Sequence, residues 1–291
     1  MDIAIHLGAH LTDDGRLRSC LQKNRATLAK DGIEVPDAAR FRTPMLEAIK
    51  AHSDGELATD AGAVLLESIL SSDKTERLVL STTRFLSPLP SAVRRAQFCP
   101  MAEGRVAGLR ALLADHPVSF YMAIRNPASF LPALIESVNA DQAAIITGDL
   151  DPTNLRWSDL IRTIRAQFPE APITVWCDED TPFIWEDVLK IVSGHPDTTT
   201  LNHIYDWFDT VMIDGGAAKL AAYMDDAPPM DRSQRQRVIA AFLDKFCDES
   251  KIDVDVSAIG WTEDMVDLLS ELYDNDVETI ATMDGVTLLQ P

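Results

Sequence analysis

The sequence predicts an α/β protein, with a parallel sheet flanked by helices and an acidic, mainly helical C-terminal extension. Three observations predict it. Four short, β-rich apolar runs, "IAIHLG" (3–8), "RLVLST" (77–82), "VSFYMAI" (118–124) and "ITVWCDE" (173–179), are mostly continuous rather than alternating. That is the pattern of strands buried on both faces. Amphipathic stretches separate them, and strand, helix, strand repeated in this way builds right-handed βαβ units. After about residue 184 strand signals nearly vanish, and the helical stretches that remain are rich in Asp and Glu.

Taken in order, residues 15–30 place Leu17, Cys20, Leu21, Ala26 and Leu28 roughly on one helical face. Residues 59–71 read similarly, "AEGRVAGLRALLAD" (102–115) spaces Val106, Leu109 and Leu113 helically, and "RWSDLIRTIRAQF" (156–168) follows. Beyond residue 184, "IWEDVLKIVSG", "AAKLAAYMDD", "SQRQRVIAAFLDKF" and "TEDMVDLLSELYDNDVETIATM" read as helices. The last opens with Thr262 as a cap, and Glu263 and Asp264 stand in the first turn, where they complement the helix dipole. "DDAPPMDRS" (225–233), with two prolines and no periodicity, reads as a hinge or as a helix-to-helix loop. The expected organisation is an α/β core over 1–195 and an acidic helical region over 196–291, packed on the core or following it.

Net charge is −20, from 26 Lys+Arg against 46 Asp+Glu. Residues 196–291 alone carry 20 acidic and 6 basic residues. Such a surface repels nucleic acid and anionic membranes, whose binding needs clustered cations, so neither is an expected partner. A hydrophobic fraction of 46% suffices for a sizeable core. Cys20, Cys99, Cys177 and Cys247 stand far apart with no CxxC pair, against a zinc site or a disulfide scaffold. "MDIAIHLGAH" has neither a basic leader nor a long apolar core, and no run approaches a membrane span, so a cytoplasmic location is expected.

In open α/β sheets ligands sit beyond the carboxyl ends of the strands, which makes "GAHLTDDG" (8–15) the first loop to weigh. A phosphate cradle there needs glycines, a helix N-terminus and usually a Lys with Ser or Thr. This loop has no Lys and carries Asp13 and Asp14 instead.

Residues 3–36 nevertheless resemble the opening of bacterial sulfotransferase-family proteins, whose P-loop-like segment reads approximately His-x-Gly-x-x-Lys-Thr-Gly-Thr-Thr-x-Leu. His6, Gly8, Thr12 and Leu17 fall on that pattern, and "LAKDGIEVP" (28–36) continues it. "LVLSTTRFL" (78–86) is similar to the family's Ser-containing second strand, and "MAIRNPASFLPALIES" (122–137) to its strand, Arg, helix motif. The resemblance runs in order over most of residues 1–190. It implies a P-loop-type, sulfotransferase-like sheet and sulfuryl transfer from 3′-phosphoadenylyl sulfate to an unspecified acceptor. On the resemblance, His6, Gly8, His10, Thr12, Gly15, Arg16, Ser81 and Arg125 would contact that donor.

The family's Lys falls on Leu11, its second Gly and following Thr on Asp13 and Asp14, its last Thr on Gly15, and a later Ser on Ala133. Two carboxylates near such an anion would each cost about 1–4 kcal/mol at effective dielectrics of roughly 20 to 80. Three readings of the loop stay open: Asp13 and Asp14 cap the following helix from within, Arg16 or Arg18 supplies the missing charge, or His6, His10 and the two Asp hold a divalent ion. The alternative to an enzyme is therefore a non-catalytic binding or scaffold protein that retains the fold.

Arg125, at a strand's carboxyl end, is expected either to contact an anion or to pair with a carboxylate of "CDED". Asp178, Glu179 and Asp180 could do acid/base work or hold Mg²⁺. With Pro182 in a first helical turn, the reading preferred for this stretch is a cap at Asp180 or Thr181, or an Arg125 partner. His10, His116 and Glu136 are the candidate bases, none singled out, and Arg84, Arg94 and Arg95 form a cationic loop bordering the region where an acceptor would sit.

Overall fold

The computed structural model describes residues 1–252 and 260–291. Its strands are β1 (Asp2–His6), β2 (Ile33–Glu34), β3 (Arg77–Ser81), β4 (Val93–Arg94), β5 (Gln97–Phe98), β6 (Val118–Ile124), β7 (Ile173–Cys177) and β8 (Val286–Leu288). Six form one all-parallel sheet in the order β2-β3-β1-β6-β7-β8, and β4 and β5 pair as a small antiparallel hairpin. The helices are α1 (Arg16–Lys23), α2 (Arg25–Leu28), α3 (Ala38–Ser53), α4 (Ala61–Ile69), α5 (Ala102–Leu112), α6 (Pro127–Glu136), α7 (Ala140–Gly148), α8 (Trp157–Gln167), α9 (Thr181–Ser193), α10 (Gly216–Asp226), α11 (Arg232–Phe246), α12 (Glu249–Ile252) and α13 (Glu263–Ala281).

Period-2 alternation sends Ile3, Ile5 and Leu7 into a layer containing residues of α3, α4, α5, α6, α8 and α13. Ala4, Val79, Tyr121 and Trp176 face the other way, onto α1 and α9. Both sheet faces are thus covered, which is why the strands read as continuous apolar runs. A third cluster, with Phe208, Met212, Leu220 and Ile239, joins α10 to α11. Among the described residues no helix is long and apolar enough to cross a membrane.

The α/β sheet and its flanking helices follow the sequence pattern, but the helix expected over 15–30 breaks at Asn24 into α1 and α2, strand β2, the β4–β5 hairpin and α7 carry no expectation, and three further differences stand out. The first and fourth strands stop at His6 and Cys177, two residues before the apolar runs were expected to end, because the backbone turns there into loops that carry polar groups. Helix α3 has Pro44 in its interior, a residue that ordinarily argues against a helix, yet Phe41, Met45 and Ile49 recur at one-turn spacing and are buried. Strand β8, three residues long, pairs with β7 and so brings the C-terminal region into the sheet. Helix α13 lies in the same layer as α6 and α8. Asp276 on α13 is buried, and its carboxylate accepts the Trp157 and Ser158 N–H groups at 2.7 and 3.2 Å, capping α8 from a distant part of the chain. Thr262 caps α13 through the Met265 N–H, and within 225–233 residues 227–231 form the loop that joins α10 to α11, with Asp231 capping α11 through the Gln234 N–H.

Candidate active-site cleft

Helix α1, after β1, lies on one sheet face, and α6, after β6, on the other. β1 and β6 are neighbours, so their loops part at this point and leave a crevice, the position where open α/β sheets bind ligands. A cleft of about 620 Å³ lies there. Its walls come from the β1 loop (Leu11, Thr12, Asp14, Arg16), the start of α6 (Arg125, Ser129, Ala133), the β7 loop (Asp178, Glu179) and apolar residues of the C-terminal half such as Trp207 and Leu243.

The β1 loop is tightly wound. Gly8, Leu11, Asp14 and Gly15 all have positive φ, at 50°, 60°, 49° and 80°. For Leu11 and Asp14 this conformation costs on the order of 1 kcal/mol each, so contacts must hold it. Asp13 supplies two. It is buried, and its carboxylate accepts the Gly15 N–H at 3.1 Å and the Leu17 N–H at 3.0 Å. Two of the N–H groups at the start of α1 are therefore taken by an internal anion, and the Arg16 N–H by the Asp13 backbone carbonyl at 2.9 Å. Arg125 supplies the third contact, donating from Nη1 to the Leu11 carbonyl at 2.7 Å and from Nε to Ser129 Oγ at 3.0 Å. Arg16 folds back on the loop, to the Asp13 carbonyl and the Asp14 carboxylate, both at 3.3 Å. Arg18 reaches the Ser81 carbonyl at 3.5 Å.

The eight residues that resemblance marked divide into two groups. Thr12, Arg16 and Arg125 line the cleft. His6, Gly8, His10 and Ser81 are buried away from its walls, and Gly15 donates to Asp13. His6 Nδ1 and Ser81 Oγ form a hydrogen bond at 2.9 Å, and the ring stacks on Trp176. Burial holds the His6 imidazole below its ordinary pKa against an opposing pull from Asp13. His10 is pushed down to about 4, chiefly by burial, with the Ser87 backbone opposing and Arg84 and Arg105 assisting. Both histidines are neutral at physiological pH. Among the described residues no three or more His, Cys, Asp or Glu side chains come together to hold a metal ion.

The β7 loop departs from its expected role. Neither Asp180 nor Thr181 makes a side-chain cap on α9, and Thr181 Oγ1 is buried without a partner among the described residues. Glu179 instead ties three elements together, accepting from the Asn126 N–H at 2.8 Å and the Tyr273 hydroxyl at 3.2 Å. The Asp178 carboxyl makes no hydrogen bond among the described residues, although its backbone carbonyl accepts the Thr181 N–H. Its pKa is raised to about 7, first by burial and then by Glu179, Asp13 and Asp14, with Arg125 pulling the other way. Arg125 has no carboxylate within ion-pair distance among the described residues, and its Nη2 amino group makes no hydrogen bond there.

His116 sits at the opposite end of the sheet, just before β6, and Glu136 is the exposed last residue of α6. Arg84, Arg94 and Arg95 are exposed and outside the cleft walls, the last two at the β4–β5 hairpin. Burial raises the thiols of Cys20, Cys99 and Cys177 to about 12, 11 and 11, so none is a ready nucleophile at neutral pH. Asp178 had a sequence signal, as the first polar residue after an apolar strand. Tyr273 and the apolar wall had none, because they arrive from elements remote in sequence.

The chemistry within reach of this cleft is narrow: one guanidinium without a carboxylate partner among the described residues, one carboxyl that changes charge near neutrality, and an apolar wall. No protein-family model, no curated protein and no solved structure matches the chain.

Proposed function

We propose that the chain is a non-catalytic, ligand-binding relative of the P-loop-type sulfotransferase-like proteins, keeping the ligand edge of the sheet but not the donor chemistry. One observation carries this reading: the Asp13 carboxylate takes the Gly15 and Leu17 N–H groups, the position that a donor phosphate would need. Leu11 stands where the resemblance places a lysine, and its side chain offers no cation. The residues present therefore do not fit 3′-phosphoadenylyl sulfate. On this reading the ligand is a small molecule bound in the cytoplasm, without nucleic acid or membrane, in keeping with the net charge of −20.

A sulfuryl-transferring enzyme is the second reading, favoured by the uncommitted Nη2 group of Arg125 at the cleft. Calorimetric titration with adenosine 3′,5′-bisphosphate separates the two. The expected result is no heat up to millimolar nucleotide. Saturable binding that Arg125→Ala abolishes would overturn the non-catalytic reading. In the double variant Leu11→Lys with Asp13→Gly, the cation is restored and the internal anion removed, so nucleotide affinity should rise. Unchanged affinity would place the donor site elsewhere.

A further inference from the structure

The cleft's charges are almost all committed internally. Arg16 is engaged by Asp14 and the Asp13 carbonyl. The Lys251 ammonium donates to the Asp209 and Met212 carbonyls at 3.1 and 2.6 Å. Glu179 is held by Asn126 and Tyr273. What remains is the outer edge of the Arg125 guanidinium and the Asp178 carboxyl, both on the cleft wall and both without a polar partner there among the described residues. Pro182, Phe183, Trp207, Val211 and Leu243 supply the apolar surface facing them.

We infer that the cleft binds a small organic monocarboxylate with an apolar tail, its carboxylate gripped by Arg125 and accepting a hydrogen bond from the Asp178 carboxyl. This deepens the non-catalytic reading above and rests on it. A planar carboxylate matches the guanidinium fork, and a single negative charge matches Arg125, the cleft cation that has no carboxylate partner among the described residues, whereas Arg16 pairs with Asp14 and Lys251 with Asp248. A phosphate monoester carries more charge at a point where Asp14 and Glu179 also face the ligand, and a sulfate ester, with the same single charge, lacks the planar two-oxygen edge that matches the guanidinium fork. A cationic ligand would face Arg125. A volume of about 620 Å³ suits a molecule of drug-like size.

Asp178 must keep its proton to donate. The charged groups around it are Glu179 and Asp180 on its own turn, Asp13 and Asp14 on the β1 loop, Arg125 after β6 and, farther along the wall, Arg16 and Lys251. Near neutrality the proton is half retained, so the bound carboxylate acts as one more acid that favours keeping it.

The test is calorimetry on the full chain with 4-phenylbutyrate as probe, its neutral amide as control and adenosine 3′,5′-bisphosphate alongside. The acid should bind and the amide should bind at least tenfold more weakly. Affinity for the acid should fall about tenfold between about pH 6 and pH 8, as Asp178 loses its proton. Asp178→Asn, which keeps a donor but cannot ionise, should flatten that pH dependence, and Arg125→Ala should abolish binding while circular dichroism confirms that the variant is folded. Equal affinity for acid and amide overturns the inference without needing any variant. So does an undiminished pH slope in Asp178→Asn, or no binding of the acid at all. If the bisphosphate binds saturably instead, the non-catalytic reading fails, whereas silence from both ligands removes only the carboxylate inference.

Discussion

Asp178→Asn should stabilise the protein, and by more at high pH than at low. In the folded chain this carboxyl is raised to about 7 from its ordinary value of 3.8, because burial and three neighbouring acids outweigh Arg125. Between those values the native state binds more protons than the unfolded one, so stability falls as pH rises through the window and then levels off. The full contribution is present below the unfolded pKa and lost above about 7. A shift of about three units corresponds to about 4 kcal/mol, which partial solvent access at the cleft reduces to about 2–4 kcal/mol. The asparagine variant lacks the penalty. At pH 8 its melting temperature should exceed that of the wild type by about 4–8 °C, and at pH 4 the two should nearly coincide. Urea denaturation at both pH values gives the same comparison without heat. A stability difference that does not grow with pH would refute the assignment of a half-buried, high-pKa carboxyl, and with it the proton on which carboxylate binding depends.

Asp13→Ala removes the acceptor for the Gly15 and Leu17 N–H groups, and should cost about 1–2 kcal/mol in urea unfolding. An unchanged midpoint would mean that water caps α1 equally well. Asp276→Ala leaves the buried Trp157 and Ser158 N–H groups without an acceptor and should cost about 2–4 kcal/mol, while Asp276→Asn, retaining one carbonyl oxygen, should cost less; equal costs would locate the effect in packing instead. A Cβ at Gly62 would stand 2.1 Å from the Leu112 carbonyl oxygen, whereas one at Gly104 meets nothing within 4 Å. Gly62→Ala should therefore destabilise by more than about 1 kcal/mol, and Gly104→Ala, in the first turn of α5, should be neutral or stabilise by up to about 1 kcal/mol. Thermal melts of the pair, reversed in order, would contradict the close packing of α4 on α5.

The sheet was legible because its information is local. Continuous apolar runs mark β1, β3, β6 and β7, and their loops must then lie at the ligand edge whatever the residues in them. Asp13 as an internal cap was legible for a similar reason, since a carboxylate three residues before a helix start has an obvious set of N–H groups to satisfy. β8 was not, because three residues of Val-Thr-Leu after a long helix carry no periodicity, and only pairing with β7 makes them a strand. Helix α3 was hidden by Pro44, whose local cost is outweighed by burial of Phe41, Met45 and Ile49. In the cleft, pairing of Arg125 with an acid of the β7 loop was one expectation, and it is not met: among the described residues no carboxylate lies within ion-pair distance of Arg125. Whether Arg125 meets a carboxylate depends on side-chain directions across two loops. One of the two partners of Glu179, Tyr273, comes from α13, nearly a hundred residues away.

The pairing of β8 with β7 also bears on how the chain reaches this state. Residues 173–175 hydrogen-bond with residues 286–288, closing a loop of about 110 residues. The entropic cost of such closure grows only slowly with length, but contacts this far apart in sequence form late. Until they form, β7 presents an apolar strand with one row of backbone donors and acceptors open. A second nascent copy offers the same complement, so the interval before β8 docks is when this protein is most exposed to edge-to-edge association.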